Sequence, residues 1–305
     1  MYEVLGQMAA LVACGVAWRM LRPPGLDADV ARQTIAGLVY TLLLPALVLS
    51  VLWQAPLSLD VARIALAAAG GVLASLGMAA MAYRFWGISR RTAGALVLAA
   101  GFPNATYLGL PFLENVMGPW ARSVAIQYDL FACTPLLLTV GILLAQRYGA
   151  SSQPQVNPLM ALLRVPPFWA AVAAVLLNVS GTPMPRWLGS LLQMMAGAVV
   201  PLMLIALGLG LRLSVMRMQS LPVMVPALVI QLLLMPLLVW GMASGLGLEG
   251  RVLIAVVMEA AMPSMVLGMV LCDRHGLDTG MYVSVVTLST GLSLLSLPLW
   301  FAWLS

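Results

Sequence analysis

Glu259 and Asp129 are acids set inside long apolar runs. An ionisable group at membrane depth is costly and usually faces a cavity or a partner, so both are candidates for handling a proton or a sodium ion. Glu259 opens the stretch Glu259-Ala260-Ala261-Met262-Pro263-Ser264. A similar interruption lies 160 residues earlier, in Gly101-Phe102-Pro103-Asn104-Ala105-Thr106-Tyr107-Leu108-Gly109-Leu110-Pro111. Proline followed by a polar residue interrupts a helix where no water hydrates the freed backbone groups, which is tolerated only beside protein or a wet cavity. An arginine stands twelve residues before each proline, Arg91 before Pro103 and Arg251 before Pro263. Two broken helices at matching places in two halves of a chain point to a transporter's binding site.

The spacing sets the depth. Twelve residues at about 1.5 Å each reach roughly 18 Å, which puts both prolines near the middle of a bilayer. Asn104 and Ser264 are good N-cap residues, so each is expected to open a second half-helix. The amides after them, at Ala105, Thr106 and Met265, are expected to point into the gap with the positive end of the helix dipole and to meet an anion such as a carboxylate. The carbonyls near 99–102 and 259–262 are expected to stay open for a cation or a water. Thr106, Tyr107, Gln127, Thr134, Thr287, Ser289 and Thr290 are further candidates for the cavity wall.

These residues need a membrane around them, and the composition supplies the setting. The chain is 62% hydrophobic and 8% charged, where a soluble domain has about 25% charged residues. The apolar runs suit helices of about 20 residues rather than short barrel strands. Ten spans are expected, near 2–21, 30–53, 61–83, 92–115, 120–146, 165–180, 188–211, 221–245, 250–272 and 279–303. The first is read as a membrane helix rather than a cleaved signal, because Glu3 is its only early charge. Prolines inside the spans (Pro45, Pro135, Pro201, Pro226, Pro236) predict kinks. All fifteen basic residues are arginine, so the charge of +5 reflects helix ends and not nucleic acid. Eleven arginines flank the ends of odd-numbered spans: Arg19, Arg22, Arg32, Arg84, Arg90, Arg91, Arg147, Arg164, Arg212, Arg217 and Arg274. Arg63, Arg122, Arg186 and Arg251 lie on the other side. The positive-inside rule then places both termini outside the cell. Residues 1–147 and 165–305 are expected to form two five-helix repeats of inverted topology. Residues 148–164, with Ser151-Ser152-Gln153-Pro154-Gln155, would link them inside the cell.

Enzymatic readings fare badly. The single histidine, His275, sits among Asp273, Arg274 and Asp278 and reads as a solvated helix end. There is no Walker loop, dinucleotide fingerprint or metal-ligand cluster in the sequence, and no cofactor is expected. Cys14, Cys133 and Cys272 read as small hydrophobes.

The two interrupted stretches together resemble the auxin efflux carrier family. The first resembles its Asn…Gly-Leu-Pro signature. Ala260-Ala261-Met262-Pro263-Ser264, leading to Cys272-Asp273-Arg274-His275-Gly276, resembles its second-half signature. The resemblance implies an all-α inverted-repeat carrier related in architecture to sodium–bile acid symporters. It implies a scaffold from spans 1, 2, 6 and 7, a transport part from spans 3–5 and 8–10, and broken spans 4 and 9 crossing at the substrate site. Pro103, Asn104 and Pro263 map onto the family's crossover positions. A homodimer, a prokaryotic inner membrane and small organic acids such as malonate or malate are implied in the same way. The expected function is therefore secondary active transport of a small organic anion by alternating access, coupled to a proton or the membrane potential. Substrate would bind at Pro103, Asn104, Ala105, Thr106, Pro263, Ser264 and Met265, with Glu259 and Asp129 handling the coupling. A sodium-coupled symporter of larger amphipathic anions, or a channel or receptor without coupled turnover, is the alternative.

Overall fold

A computed structural model describes residues 2–21, 27–55, 59–149, 160, 163–211 and 220–305. Most of the expected linker, including Ser151 to Gln155, lies outside the described residues, as do Arg22, Arg212 and Arg217. Among the described residues the chain is all-helical, and the one β feature is an isolated antiparallel bridge between Pro103 and Ser264. Six helices are long and apolar enough to cross a membrane: Ala28–Gln54, Asp60–Arg84, Ala121–Tyr148, Arg186–Gly210, Leu221–Gly245 and Thr279–Leu304. Tyr2–Leu21 and Pro166–Val179 are further apolar helices. Two more helices among the described residues are interrupted. The first broken helix runs over Arg90–Gly101 and resumes as Leu110–Met117, and the second runs over Gly250–Ala260 and resumes as Gly268–His275.

Large apolar side chains such as Trp187, Met194, Leu295 and Leu299 are exposed around the outside. Water would penalise such a surface, and hydrocarbon does not.

The prolines act through a common local device. Pro45, Pro111, Pro135 and Pro236 each follow a wide π turn, at Val39–Leu43, Ala105–Gly109, Asp129–Cys133 and Ile230–Leu234. A proline ring collides with the carbonyl four residues back. Those carbonyls belong to Thr41, Tyr107, Phe131 and Leu232, each the middle residue of its wide turn, so the widening makes room for the ring. Pro201 follows a one-residue interruption at Ala198, while Pro226 is accommodated inside Leu221–Val229.

The helices pack in two groups. Tyr2–Leu21, Ala28–Gln54, Pro166–Val179 and Arg186–Gly210 pack mainly on one another, and the other six mainly on one another. In the four-helix group, Gly15 and Gly208 let two backbones touch: a Cβ on Gly208 would overlap the Val12 carbonyl. Asn178 closes the end of Ala28–Gln54 by donating to the Leu52, Trp53 and Ala55 carbonyls at 3.1, 2.8 and 2.8 Å. In the six-helix group, Tyr83 donates to the Val223 carbonyl at 2.8 Å and Trp300 to the Leu232 carbonyl at 2.9 Å.

Candidate functional site

The two broken helices meet at their interruptions. The Asn104 amide donates to the Pro263 carbonyl at 2.7 Å, and the Met265 amide to the Phe102 carbonyl at 2.8 Å. The two short extended stretches thus satisfy each other as a single antiparallel pair, the cheapest arrangement where no water is at hand. The Ser264 hydroxyl strengthens the junction by donating to the Ala99 carbonyl at 2.7 Å. Around it, the Ser289 hydroxyl accepts from the Ser264 amide at 3.1 Å, and the Tyr282 hydroxyl donates to the Met265 carbonyl at 2.7 Å. Gln231 donates to the Met262 carbonyl at 2.9 Å.

The outer ends are tied in the same crosswise sense. Arg91, opening the first broken helix, donates to the carbonyl of Gly276, which closes the second. Arg251, opening the second, donates to the carbonyl of Met117 in the last turn of the first at 2.8 Å, with its guanidinium 5.0 Å from the centre of the Trp120 ring. Gly276 ends its helix in the left-handed conformation at φ 67°, which glycine adopts without strain.

This junction corrects part of the local reading. The Asn104 side chain caps no helix, and the Asn104 carbonyl instead accepts the Leu108 and Gly109 amides of the wide turn. The second half-helix after Ser264 starts only at Gly268. The amides of Ala105 and Met265 are already engaged, with Pro103 and Phe102 respectively, and the carbonyls of Ala99, Phe102, Glu259, Met262 and Pro263 all accept hydrogen bonds. These main-chain groups pair with main chain or with the Gln231 and Ser264 side chains, and the buried side chains at the crossing are less well served.

Those side chains are specific. Asn104 is fully buried, and neither its amide nitrogen nor its oxygen has a partner. Glu259 is equally buried with both carboxyl oxygens unpaired, packed against Gly109, and the buried Tyr128 hydroxyl is likewise unpaired. Asp129 is buried but partnered, accepting from the Thr106 hydroxyl and, at 3.1 Å, from the Thr134 hydroxyl.

Asn104, Thr106, Tyr107, Asp129, Thr134 and Met265 line one small cavity of about 20 Å³, room for about one water. Its other wall comes from the four-helix group, through Tyr40, Leu44 and Pro167, so the cavity lies between the two groups. Ser289 is at the crossing as a support for Ser264, whereas Thr287 and Thr290 line a separate apolar groove beside Tyr2–Leu21. Gln127 is buried in the helix that carries Asp129. Tyr40 and Arg32, which is close enough to Tyr107 to interact with it electrostatically, escaped the sequence reading of the site. His275 is buried in the last turn of Gly268–His275 and is not a solvated end; Gly149 packs directly onto its carbonyl.

Six helices long and apolar enough to cross a membrane define a multi-pass membrane protein, and its two broken helices pair beside buried side chains without partners. The chain belongs to the membrane transport protein family, the auxin efflux carrier family, which it matches over residues 7–301. That is a family of membrane transporters and not of enzymes. The chain is similar to an uncharacterized transporter of Methanothermobacter thermautotrophicus, with 29% identity over 301 residues, 98% of this chain and 96% of the relative. It is also similar to an uncharacterized transporter of Methanocaldococcus jannaschii, with 25% identity over 213 residues, 68% of this chain and 67% of that protein.

Proposed function

We propose that this protein is a secondary active transporter of small organic anions that works by alternating access, driven by a proton gradient or the membrane potential. The observation that carries the reading is the buried Asn104 amide with both ends unpaired, on the wall of a cavity at the crossing of two broken helices. Leaving such a group unpaired costs about 1–3 kcal/mol, which a bound polar ligand repays. The Asn104 NH₂ suits a carboxylate oxygen, with Tyr107 on the same cavity wall, while the Thr106 hydroxyl is given to Asp129. Pro103, Ala105, Pro263, Ser264 and Met265 hold the crossing that positions it. Arg32 supplies positive charge on the same side.

Glu259 carries the coupling in this reading. A carboxyl sealed from water with no hydrogen bond is tolerable only with a proton or a counter-cation. Asp129, held by two hydroxyls, is the second member of the pair. A cavity with room for about one water is an occluded state, so the substrate enters when the two groups move apart. The favoured layout is ten spans as inverted repeats, 1–147 and 165–305, joined by 148–164. The six-helix group moves against the four-helix group. The protein works as a homodimer in the inner membrane, with both termini outside.

The test is uptake into proteoliposomes of malonate, malate, lactate, indole acetate and taurocholate under separate pH and sodium gradients. A small acid should enter with the pH gradient, and Asn104→Ala should abolish that flux while keeping the melting midpoint. Normal flux in Asn104→Ala would remove the central claim. Flux of taurocholate that requires sodium would replace it with the symporter reading.

A further inference from the structure

Away from the crossing, Arg84, Arg90 and Arg147 line one cavity of about 600 Å³. They come from three helices: Arg84 ends Asp60–Arg84, Arg90 opens Arg90–Gly101, and Arg147 lies in the last turn of Ile142–Tyr148. Arg90 donates to the Arg147 carbonyl at 2.7 Å, which holds two of the three helix ends together. No acidic side chain among the described residues lines this cavity. Arg19, Arg63 and Arg122 are in ion pairs elsewhere. Three arginines thus line one cavity that no carboxylate lines, a wall that favours a phosphate, whose oxygens match the guanidinium fork.

The rest of the wall says what carries the phosphate. Toward the middle of the protein the lining turns apolar, through Leu144, Met81 and Gly77. Gly77 lies seven residues before Arg84, about 10 Å along the helix. A Cβ on Gly77 would meet nothing within 4 Å, so the groove is open at that level. Met81 is 60% exposed on the outer face of the bundle. A cationic rim above an apolar groove that opens sideways has the shape of a phospholipid, headgroup above acyl chain, and not of a small soluble anion.

We propose that this cavity is a binding site for an anionic phospholipid, its phosphate on Arg84, Arg90 and Arg147 and one acyl chain along Gly77, Met81 and Leu144. The site is independent of the transport reading and of the direction the chain faces. Headgroups of this kind are recognised by basic pockets between membrane helices.

The experiment is native mass spectrometry of the detergent-purified protein titrated with phosphatidylglycerol or phosphatidylcholine of identical chains, with glycerol phosphate as soluble competitor. Phosphatidylglycerol should bind more tightly. The triple variant R84Q/R90Q/R147Q should lose about 100-fold of that preference, at about fivefold per basic residue. Gly77→Phe keeps every arginine and places a ring in the groove from a position whose Cβ would meet nothing within 4 Å, so it should weaken phosphatidylglycerol while leaving the melting midpoint in place. Equal binding of both lipids, or an unchanged preference in the triple variant, would overturn the proposal. Full displacement by millimolar glycerol phosphate together with normal binding by Gly77→Phe would do the same and assign the cavity to a soluble anion.

Discussion

Replacing Gly109 by alanine tests the tightest contact at the candidate site. A Cβ there would overlap one Glu259 carboxyl oxygen and lie 2.7 Å from the carboxyl carbon and from the other oxygen. Ordinary contact begins near 3.4 Å, so the carboxyl group must retreat by roughly 1 Å. It has nowhere easy to go, because Glu259 is 0% exposed and stands in the last turn of Gly250–Ala260, which the crossing holds in place. Overpacking of this kind costs about 1–3 kcal/mol. The assay is a thermal midpoint in detergent, read as a double-mutant cycle with Glu259→Ser, which removes the obstructing atoms. If the clash is the cause, Gly109→Ala should destabilise the wild-type background and cost little in the Glu259→Ser background, with a coupling of about 1–2 kcal/mol. Additive losses would refute the contact. A wild-type midpoint in Gly109→Ala would show that Glu259 is free to move and that the crossing is looser than described.

Gly208→Leu drives a side chain into the Val12 carbonyl, which is backbone and does not yield. It should cost about 3 kcal/mol and show as aggregation in size-exclusion chromatography. Ser264→Ala removes the donor to the buried Ala99 carbonyl; a lower midpoint worth about 1 kcal/mol is expected, and Ser264→Thr should recover it. Arg251→Gln loses both the Met117 carbonyl and the Trp120 ring, so backbone hydrogen exchange should quicken over residues 115–121, with little change at the Arg91–Gly276 end.

How much of this was legible in the sequence differs from feature to feature. The breaks were, since a proline beside a polar residue in an apolar run obeys a local rule. The fate of the freed backbone was not. Local rules assign the amides after Asn104 and Ser264 to helix caps open to a ligand, and only a contact between stretches 160 positions apart shows the Met265 amide spent on the Phe102 carbonyl and the Asn104 amide on the Pro263 carbonyl. Tyr40 was invisible for a related reason: it reaches the cavity from a helix of the other packing group, and nothing near it in sequence advertises that. His275 misled because Asp273, Arg274 and Asp278 surround it in sequence. The glycine that follows was the better guide, because a left-handed cap at Gly276 keeps His275 inside the helix.

The distribution of hydrogen bonds bears on what can move. The crossing is held by Asn104 to Pro263, Met265 to Phe102 and Ser264 to Ala99, and its ends by Arg91 to Gly276 and Arg251 to Met117. All of these join helices of the six-helix group. Asn178 to the end of Ala28–Gln54, Trp53 to the Thr182 carbonyl and Arg19 to the Leu209 carbonyl stay within the four-helix group. A displacement of one group along the other therefore keeps these bonds and exchanges mostly apolar contacts. Such contacts are non-directional, so one sliding position replaces another at small cost. A movement that opened the cavity within the six-helix group would instead break buried backbone pairs, each several kcal/mol where no water replaces them. The cavity lies on the boundary between the groups, where opening costs least. A disulfide cross-link introduced by Tyr40→Cys with Met265→Cys should then arrest uptake while leaving Asn104 in place.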